Sequence, residues 1–205
     1  MAVTFKLYQH YSLYGFANSY ILGNDETNSA LIVDPGEFTV GMLNHVEKNG
    51  YSVSAVLITH SHIHHVRGLA ALLRVYAART FAASSKVSGI PTRVVRDGEI
   101  LDVAGFEVEV LSVPGHSPDS VIYSFGGMLF TGDAIQAGLP GKTLSTYNAM
   151  LLADRVKKRL ADIPDGIVLL PGHGPPSTLG SERRYNPAFD PAWTGNTKTN
   201  YDFFV

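Results

Sequence analysis

The sequence predicts an α/β fold, and three observations carry that prediction. Short apolar, β-branched runs alternate with segments of helical spacing along most of the chain. Strict apolar–polar alternation, the period of a half-buried strand, appears in the second half. Polar residues able to bind metals or move protons recur just beyond the ends of the apolar runs, where scaffolds of this class place their sites.

Taken in order, TFKLYQH, NSYILGN and SALIVD read as three opening strands. EFTVGMLNHVEKNG (37–50) reads as a helix ending at Gly50, with Leu43 and Val46 on one face. VSAVLIT (53–59) has the composition of a strand buried on both faces. VRGLAALLRVYAA (66–78) has helical spacing, with Val66, Leu69, Leu73 and Tyr76 as its apolar stripe. RVVRDGEILDVAGFEVEVLSV (93–113) has strand periodicity, with Phe106, Val108 and Val110 set against Glu107 and Glu109. VIYSF and MLFTGD flank Gly126-Gly127, which can take the positive φ of a two-residue hairpin turn. YNAMLLADRVKKRLADI reads as a helix, and DGIVLLPGHG as a buried strand entering a loop. Residues 186–205 show no periodicity and read as an irregular, aromatic-bearing tail on a single domain spanning 1–205.

Composition narrows the function. At 45% hydrophobic and 17% charged, the chain is globular. A net charge of −2 argues against a surface built for nucleic acid or anionic membrane. No apolar run approaches the roughly 20 residues of a membrane span, and MAVTFKLYQHYSLYG lacks the apolar core of a signal peptide. The expectation is a cytoplasmic protein acting on a small-molecule substrate, with no nucleic acid and no membrane as partner; homo-oligomer formation is left open. The absence of cysteine excludes disulfides, thiolate ligands and a cysteine nucleophile, so metal chemistry must use nitrogen and oxygen.

Residues 59–65 read THSHIHH, placing His60, His62, His64 and His65, half of the eight histidines, within six positions. Neutral imidazole is the commonest metal ligand. His60 and His62 can chelate one ion from a loop leaving a strand, and His64 and His65 can face a second. On its own the cluster also fits a surface patch. The other strand ends argue for a site: EVLSVPG is followed by His116, MLFTG by Asp133 and IVLLPG by His173. His10 and His45 match no such pattern and read as plain surface or helix residues.

These residues carry a resemblance. THSHIHHVRG resembles the T-H-x-H-x-D-H motif of the metallo-β-lactamase superfamily, VPGHSPDS its third histidine motif, FTGDAI its bridging aspartate and LLPGHG its last histidine. NSYIL followed by LIVDPG resembles its opening strands and Asp-Pro-Gly turn, and the match runs from about residue 17 to 190. Within the superfamily, FTGDAIQAGLPGKT and TLGSERRYNPAF look most like small glyoxalase II-like (hydroxyacylglutathione hydrolase-like) proteins. Those enzymes hydrolyse thioesters such as S-lactoylglutathione. Larger members add a glutathione-gripping helical domain, which is not expected in the 32 residues after His173.

The resemblance implies a four-layer αββα sandwich, with two mixed β-sheets face to face, helices outside, and metals at one edge. It implies that His60, His62 and His116 hold one ion, that His65 and His173 hold a second, and that Asp133 bridges them. Asp34 is the candidate supporting partner of a ligand. Zinc is the expected cofactor, at one or two ions per chain, and iron or manganese accept the same donors. The sequence departs from the pattern at His64, where the family has an aspartate that binds the second ion and orients water. His64 is a candidate replacement ligand; loss of the second ion, or a side chain turned away from it, are the alternatives. The implied activity is a metal-dependent hydrolase using a metal-bound hydroxide on a thioester or related ester. Its candidate catalytic residues are Asp133, His64 and His173, and Lys142 is the candidate contact for a substrate carboxylate. The alternatives are a mononuclear non-haem iron oxidoreductase of the persulfide dioxygenase type, or a metal-binding protein with reduced activity.

Overall fold

In the computed structural model, which describes residues 4–195, the first half of the chain builds one sheet and the second half builds another. Strands β1 (Phe5–Tyr11), β2 (Asn18–Asn24) and β3 (Ser29–Val33) pair antiparallel. Helix α1 (Val40–Lys48), capped by the Thr39 hydroxyl accepting from Met42 N, leads to β4 (Ser52–Leu57), parallel to β3. Helices α2 (Ile63–Val66) and α3 (Leu69–Val75) lead to β5 (Arg79–Ala82), parallel to β4. A ribbon of β6 (Lys86–Val87) and β7 (Ile90–Pro91) precedes β8 (Arg93–Val94), which completes the order β1-β2-β3-β4-β5-β8.

The second sheet opens with β9 (Ile100–Val103), β10 (Phe106–Ser112), β11 (Val121–Phe125) and β12 (Met128–Gly132), all antiparallel. Gly126 and Gly127, at φ 56° and 82°, form the expected hairpin turn between β11 and β12. A ribbon of β13 (Ile135–Gln136) and β14 (Leu139–Pro140) follows, then α4 (Thr146–Arg159) and β15 (Val168–Pro171), which lies parallel to β12. With β16 (Ser177–Thr178) the sheet order is β16-β15-β12-β11-β10-β9, and α5 (Leu179–Tyr185) follows.

The alternating strand pattern explains the layers. Phe106, Val108 and Val110 of β10 point inward and pack with Leu22, Leu31, Leu57 and Phe81 of the first sheet. The outer face of the first sheet, with Ile21 and Ile32, is covered by Met42 and Val46 of α1 and by Leu69 and Leu72 of α3. The outer face of the second, with Ile122 and Leu129, is covered by Leu152 and Val156 of α4. Helix, sheet, sheet and helix thus stack as the αββα sandwich. Phe106, Leu22 and Leu31 are fully buried, each contributing roughly 1.5–3 kcal/mol. Among the described residues no helix is long and apolar enough to cross a membrane.

Two local expectations are corrected, and the strand expectation over 93–113 is met by β8, β9 and β10. The helix expected over 66–78 is two helices broken at Arg67–Gly68, because Gly68 N donates to Pro35 O (2.8 Å) and a Cβ there would lie 2.5 Å from the Glu37 backbone. Leu72, rather than Leu73, joins Leu69 as a fully buried leucine of the stripe. The strand periodicity of 93–113 is shared between sheets: β8 ends the first, and β9 and β10 begin the second. In the tail, Pro187–Phe189 form a 3-10 turn, and Phe189 packs against the α4 side of the second sheet. Tyr201, Phe203 and Phe204 lie outside the described residues.

Candidate metal centre

Five loops meet at one edge of the sandwich, each leaving the carboxyl end of a strand. They carry Asp34 beyond β3, His60 to His65 beyond β4, His116 beyond β10, Asp133 beyond β12 and His173 beyond β15. Hydrogen bonds across the two sheets hold this edge together. Tyr20 donates its hydroxyl to Pro171 O (2.7 Å), Tyr123 to Ile58 O (3.0 Å), and Asn18 Nδ2 to Pro171 O (3.0 Å) and Gly174 O (2.8 Å). Gly172 lets the β15 loop approach: a Cβ there would lie 2.5 Å from both Asp133 Oδ1 and His65 Cε1.

The residues form two donor groups. His60, His62 and His116 make the first and His65, Asp133 and His173 the second, each with its donor atoms within 4.8 Å of one another. In the first, His116 Nε2 lies 2.9 Å from His62 Nδ1 and 3.3 Å from His60 Nε2. Asp133 spans both. Its Oδ1 is 2.8 Å from His173 Nδ1 and 3.4 Å from His65 Nε2, while its Oδ2 is 3.6 Å from His116 Nε2 and 3.9 Å from His60 Nε2. Asp34 also lies near His60 and His65, but its oxygens are engaged elsewhere: Oδ1 accepts from Thr59 N (2.7 Å), and Oδ2 from Thr59 Oγ1 (2.5 Å) and His65 Nδ1 (3.1 Å).

Outward partners decide which ring nitrogens face inward with a lone pair. His116 Nδ1 donates to Lys142 O (2.6 Å) and His65 Nδ1 to Asp34, while His173 Nε2 donates to Gly15 O (3.0 Å). His60 Nδ1 meets Thr59 Oγ1 (3.1 Å), whose own hydrogen goes to Asp34. Lone pairs of several imidazoles and a carboxylate therefore converge, an arrangement that repels itself unless a cation sits among them. Buried His65 Nε2 has no hydrogen-bond partner among the described residues. The donor set fits a transition-metal ion on these grounds.

The electrostatics agree. Burial, together with the neighbouring imidazole of His65, holds His60 well below the usual histidine range. Burial would also lower His65, but Asp133 and Asp34 outweigh it and push it up to about 10. Burial would raise Asp133, yet His65 and His173 hold it well below the usual carboxylate range. The pocket around Asp133 selects for positive charge.

Of the residues singled out in the sequence, His60, His62, His65, His116, Asp133 and His173 are brought together, with Asp34 directly behind His65. His64 belongs to neither group. Its ring packs on Gly15, edge-on to Tyr14 at 5.4 Å, with its centroid 6.0 Å from that of His173. Lys142 is exposed, and its backbone carbonyl, rather than its ammonium, touches the cluster. His45 stacks on Tyr8 at 4.1 Å and joins neither group. Sequence reasoning missed Asp119. Its Oδ2 accepts from Ser61 N and Ser84 Oγ (3.1 Å each) and its Oδ1 from Ser117 Oγ, tying the His116 loop to the His60–His62 segment. The acidic residue of the SPDS stretch after His116 was the available signal. Glu182 was missed too: it is buried and accepts from Gly138 N (3.0 Å) and Asn186 Nδ2 (2.8 Å), anchoring the loop beyond Asp133.

The chain matches the family model described as the metallo-beta-lactamase superfamily over residues 14–173. Hydroxyacylglutathione hydrolase GloC of Haemophilus influenzae is 28% identical over 196 residues, covering 83% of this chain and 91% of that protein. The crystal structure of ETHE1 from Myxococcus xanthus superposes with a TM-score of 0.80 at 27% identity, covering 95% of this chain and 86% of the other. TTHA1623, solved in a di-iron-bound form, superposes with a TM-score of 0.73 at 26% identity, covering 88% and 98%.

Proposed function

The chain belongs to the metallo-β-lactamase superfamily, and on that footing we propose that it is a metal-dependent hydrolase of a small-molecule acyl thioester or related ester. One observation carries the reading: the oxygens of Asp133 divide between two groups of donors. His60, His62 and His116 would hold one ion and His65 and His173 a second, with Asp133 shared. Zinc suits three nitrogen or oxygen donors with a position left open, and iron or manganese accept the same set. When bound, such an ion polarises a carbonyl and lowers the pKa of a coordinated water from 15.7 to about 7.

The chain's own residues position and exclude. Asp34, Thr59 and the Lys142 carbonyl fix the rings of His65, His60 and His116. Half-exposed His173 and exposed His62 leave the cluster open on one side for a substrate. Asp133, the one carboxylate of the two groups, is held ionised by His65 and His173 and so has no proton for a leaving group, which suits a thiolate (pKa about 8.5), since it departs with little acid help. Lys142, exposed beside His116, is proposed to attract a substrate carboxylate. The name of the Haemophilus relative supports the thioester class.

The test is to strip the protein of metal, reload it with zinc, iron or manganese, and assay a panel of acyl thioesters including S-lactoylglutathione. Hydrolysis that disappears on chelation and returns with metal is expected. A fully loaded protein that cleaves no thioester or ester would overturn the reading. A second reading rests on a different observation: His60, His116 and Asp133 place two imidazoles and a carboxylate within 3.9 Å, the donor set of mononuclear non-haem iron oxygenases. One iron per chain with oxygen uptake on glutathione persulfide would establish that reading instead.

A further inference from the structure

The loop of residues 12–17, between β1 and β2, has Gly15 and Phe16 consecutively in the left-handed region, at φ 69° and 54°. A bulky residue such as Phe16 seldom takes that conformation, which persists only where the surroundings hold it in place. The holding contacts form a chain. Ser12 N donates to Ala17 O (2.8 Å), and Ser12 Oγ accepts from Tyr14 N (3.1 Å) and donates to Glu37 Oε2 (2.7 Å). Glu37 pairs with Arg67 (3.5 Å), and the Arg67 guanidinium lies 4.2 Å from the centre of the Tyr14 ring. The last member is His64, with its ring edge-on to Tyr14 and flat against Gly15, where a Cβ would fall 2.4 Å from His64 Cγ. Gly15 O in turn receives the Nε2 hydrogen of His173 (3.0 Å).

We propose that His64 is a positioning residue: its ring clamps the 12–17 loop so that Gly15 O holds His173 in the orientation the metal centre needs. The inference rests on the metal-site reading above, because the orientation of His173 matters only if its Nδ1 is a donor. Two observations separate this role from that of a ligand. The donor groups are complete without His64, with three members each. The space beside Gly15 and Tyr14 is filled by the flat face of a ring. A shorter aspartate would leave part of that surface bare and set a carboxylate against it. The clamp also fixes the exposed Leu13 (80%) and Phe16 (52%) of the same loop.

The test compares His64→Phe, which keeps a ring but cannot bind metal, with His64→Ala, which keeps neither. Two quantities are measured on the metal-loaded protein: ions per chain by elemental analysis, and amide hydrogen exchange of residues 13–17. The clamp predicts that His64→Phe keeps both the wild-type ion count and the slow exchange. It predicts at least tenfold faster exchange of that loop in His64→Ala. An ion lost from His64→Phe as readily as from His64→Ala would overturn the proposal in favour of a ligand. Unchanged loop exchange in His64→Ala, or equal acceleration in both variants, would overturn it as well. If the wild-type protein takes up no metal, the metal-site reading fails and the role of His64 towards His173 falls with it, while loop exchange, measured then on the metal-free protein, decides only whether His64 clamps residues 13–17.

Discussion

The two donor groups adjoin, with the rings of His60 and His65 only 4.3 Å apart, yet they are built differently. The first consists of three imidazoles, one of them exposed, oriented by a neutral hydroxyl and a backbone carbonyl. The second is deeper and charged: His65 and Asp133 are buried, and a second carboxylate, Asp34, stands directly behind His65. The first resembles a preformed chelate that gains little from electrostatics. The second concentrates negative charge in a low-dielectric pocket and so draws a cation strongly, but it depends on its supporting residues to keep that charge aimed. The two halves should therefore respond differently to the same kind of damage.

Asp133→Ala is expected to have the largest effect because it serves both groups. Ion content should fall in both, and activity should drop more than 100-fold, beyond the roughly 10–100-fold typical of losing an orienting partner. If elemental analysis still finds the first group full and tight, the two halves are independent and the shared role of Asp133 fails. Asp34→Ala should come next and act mainly on one side. The second ion should bind roughly 10–100-fold more weakly, while the first, touched only through Thr59 Oγ1 beside His60, weakens less, as followed by competition with a chelator. Equal weakening of both ions would erase the contrast. Removing all metal should lower the melting temperature. At free metal of about 100 times the Kd, each bound ion contributes about 2.7 kcal/mol, roughly 5–10 °C per ion for a chain of this size. Lys142→Met should have the smallest effect. Its carbonyl remains in place for His116, so ion content should be unchanged, and only KM for an anionic substrate should rise a few-fold. A loss of metal in this variant would show that the side chain, and not the backbone, supports the first group.

Much of this arrangement was legible in the sequence, for a physical reason. Apolar β-branched runs define buried strands and polar residues follow them, so His60, His116, Asp133 and His173 could be placed just beyond strand ends from spacing, whereas their grouping into one site was implied only by the resemblance to the metallo-β-lactamase motifs. The same resemblance, through the Asp-Pro-Gly turn, offered Asp34 as a supporting partner. The break at Gly68 was not legible, because it depends on close approach to the backbone of residues 35–38, far along the chain. The passage from β8 to β9 between sheets was hidden because β8, with two exposed residues, is too short to carry a period of its own. The part played by Lys142 was invisible in kind: a backbone carbonyl is common to every residue, so sequence reasoning looked to the ammonium instead. The placement of His64 depends on the left-handed turn at Gly15 and Phe16, which no periodicity records.

The central claim is that two adjoining groups of donors each hold an ion. Elemental analysis of protein purified without a polyhistidine tag, reporting metal identity and ions per chain, tests it most directly. The account predicts close to two ions of zinc, iron or manganese per chain. A value of one, or none even after reconstitution, would contradict it.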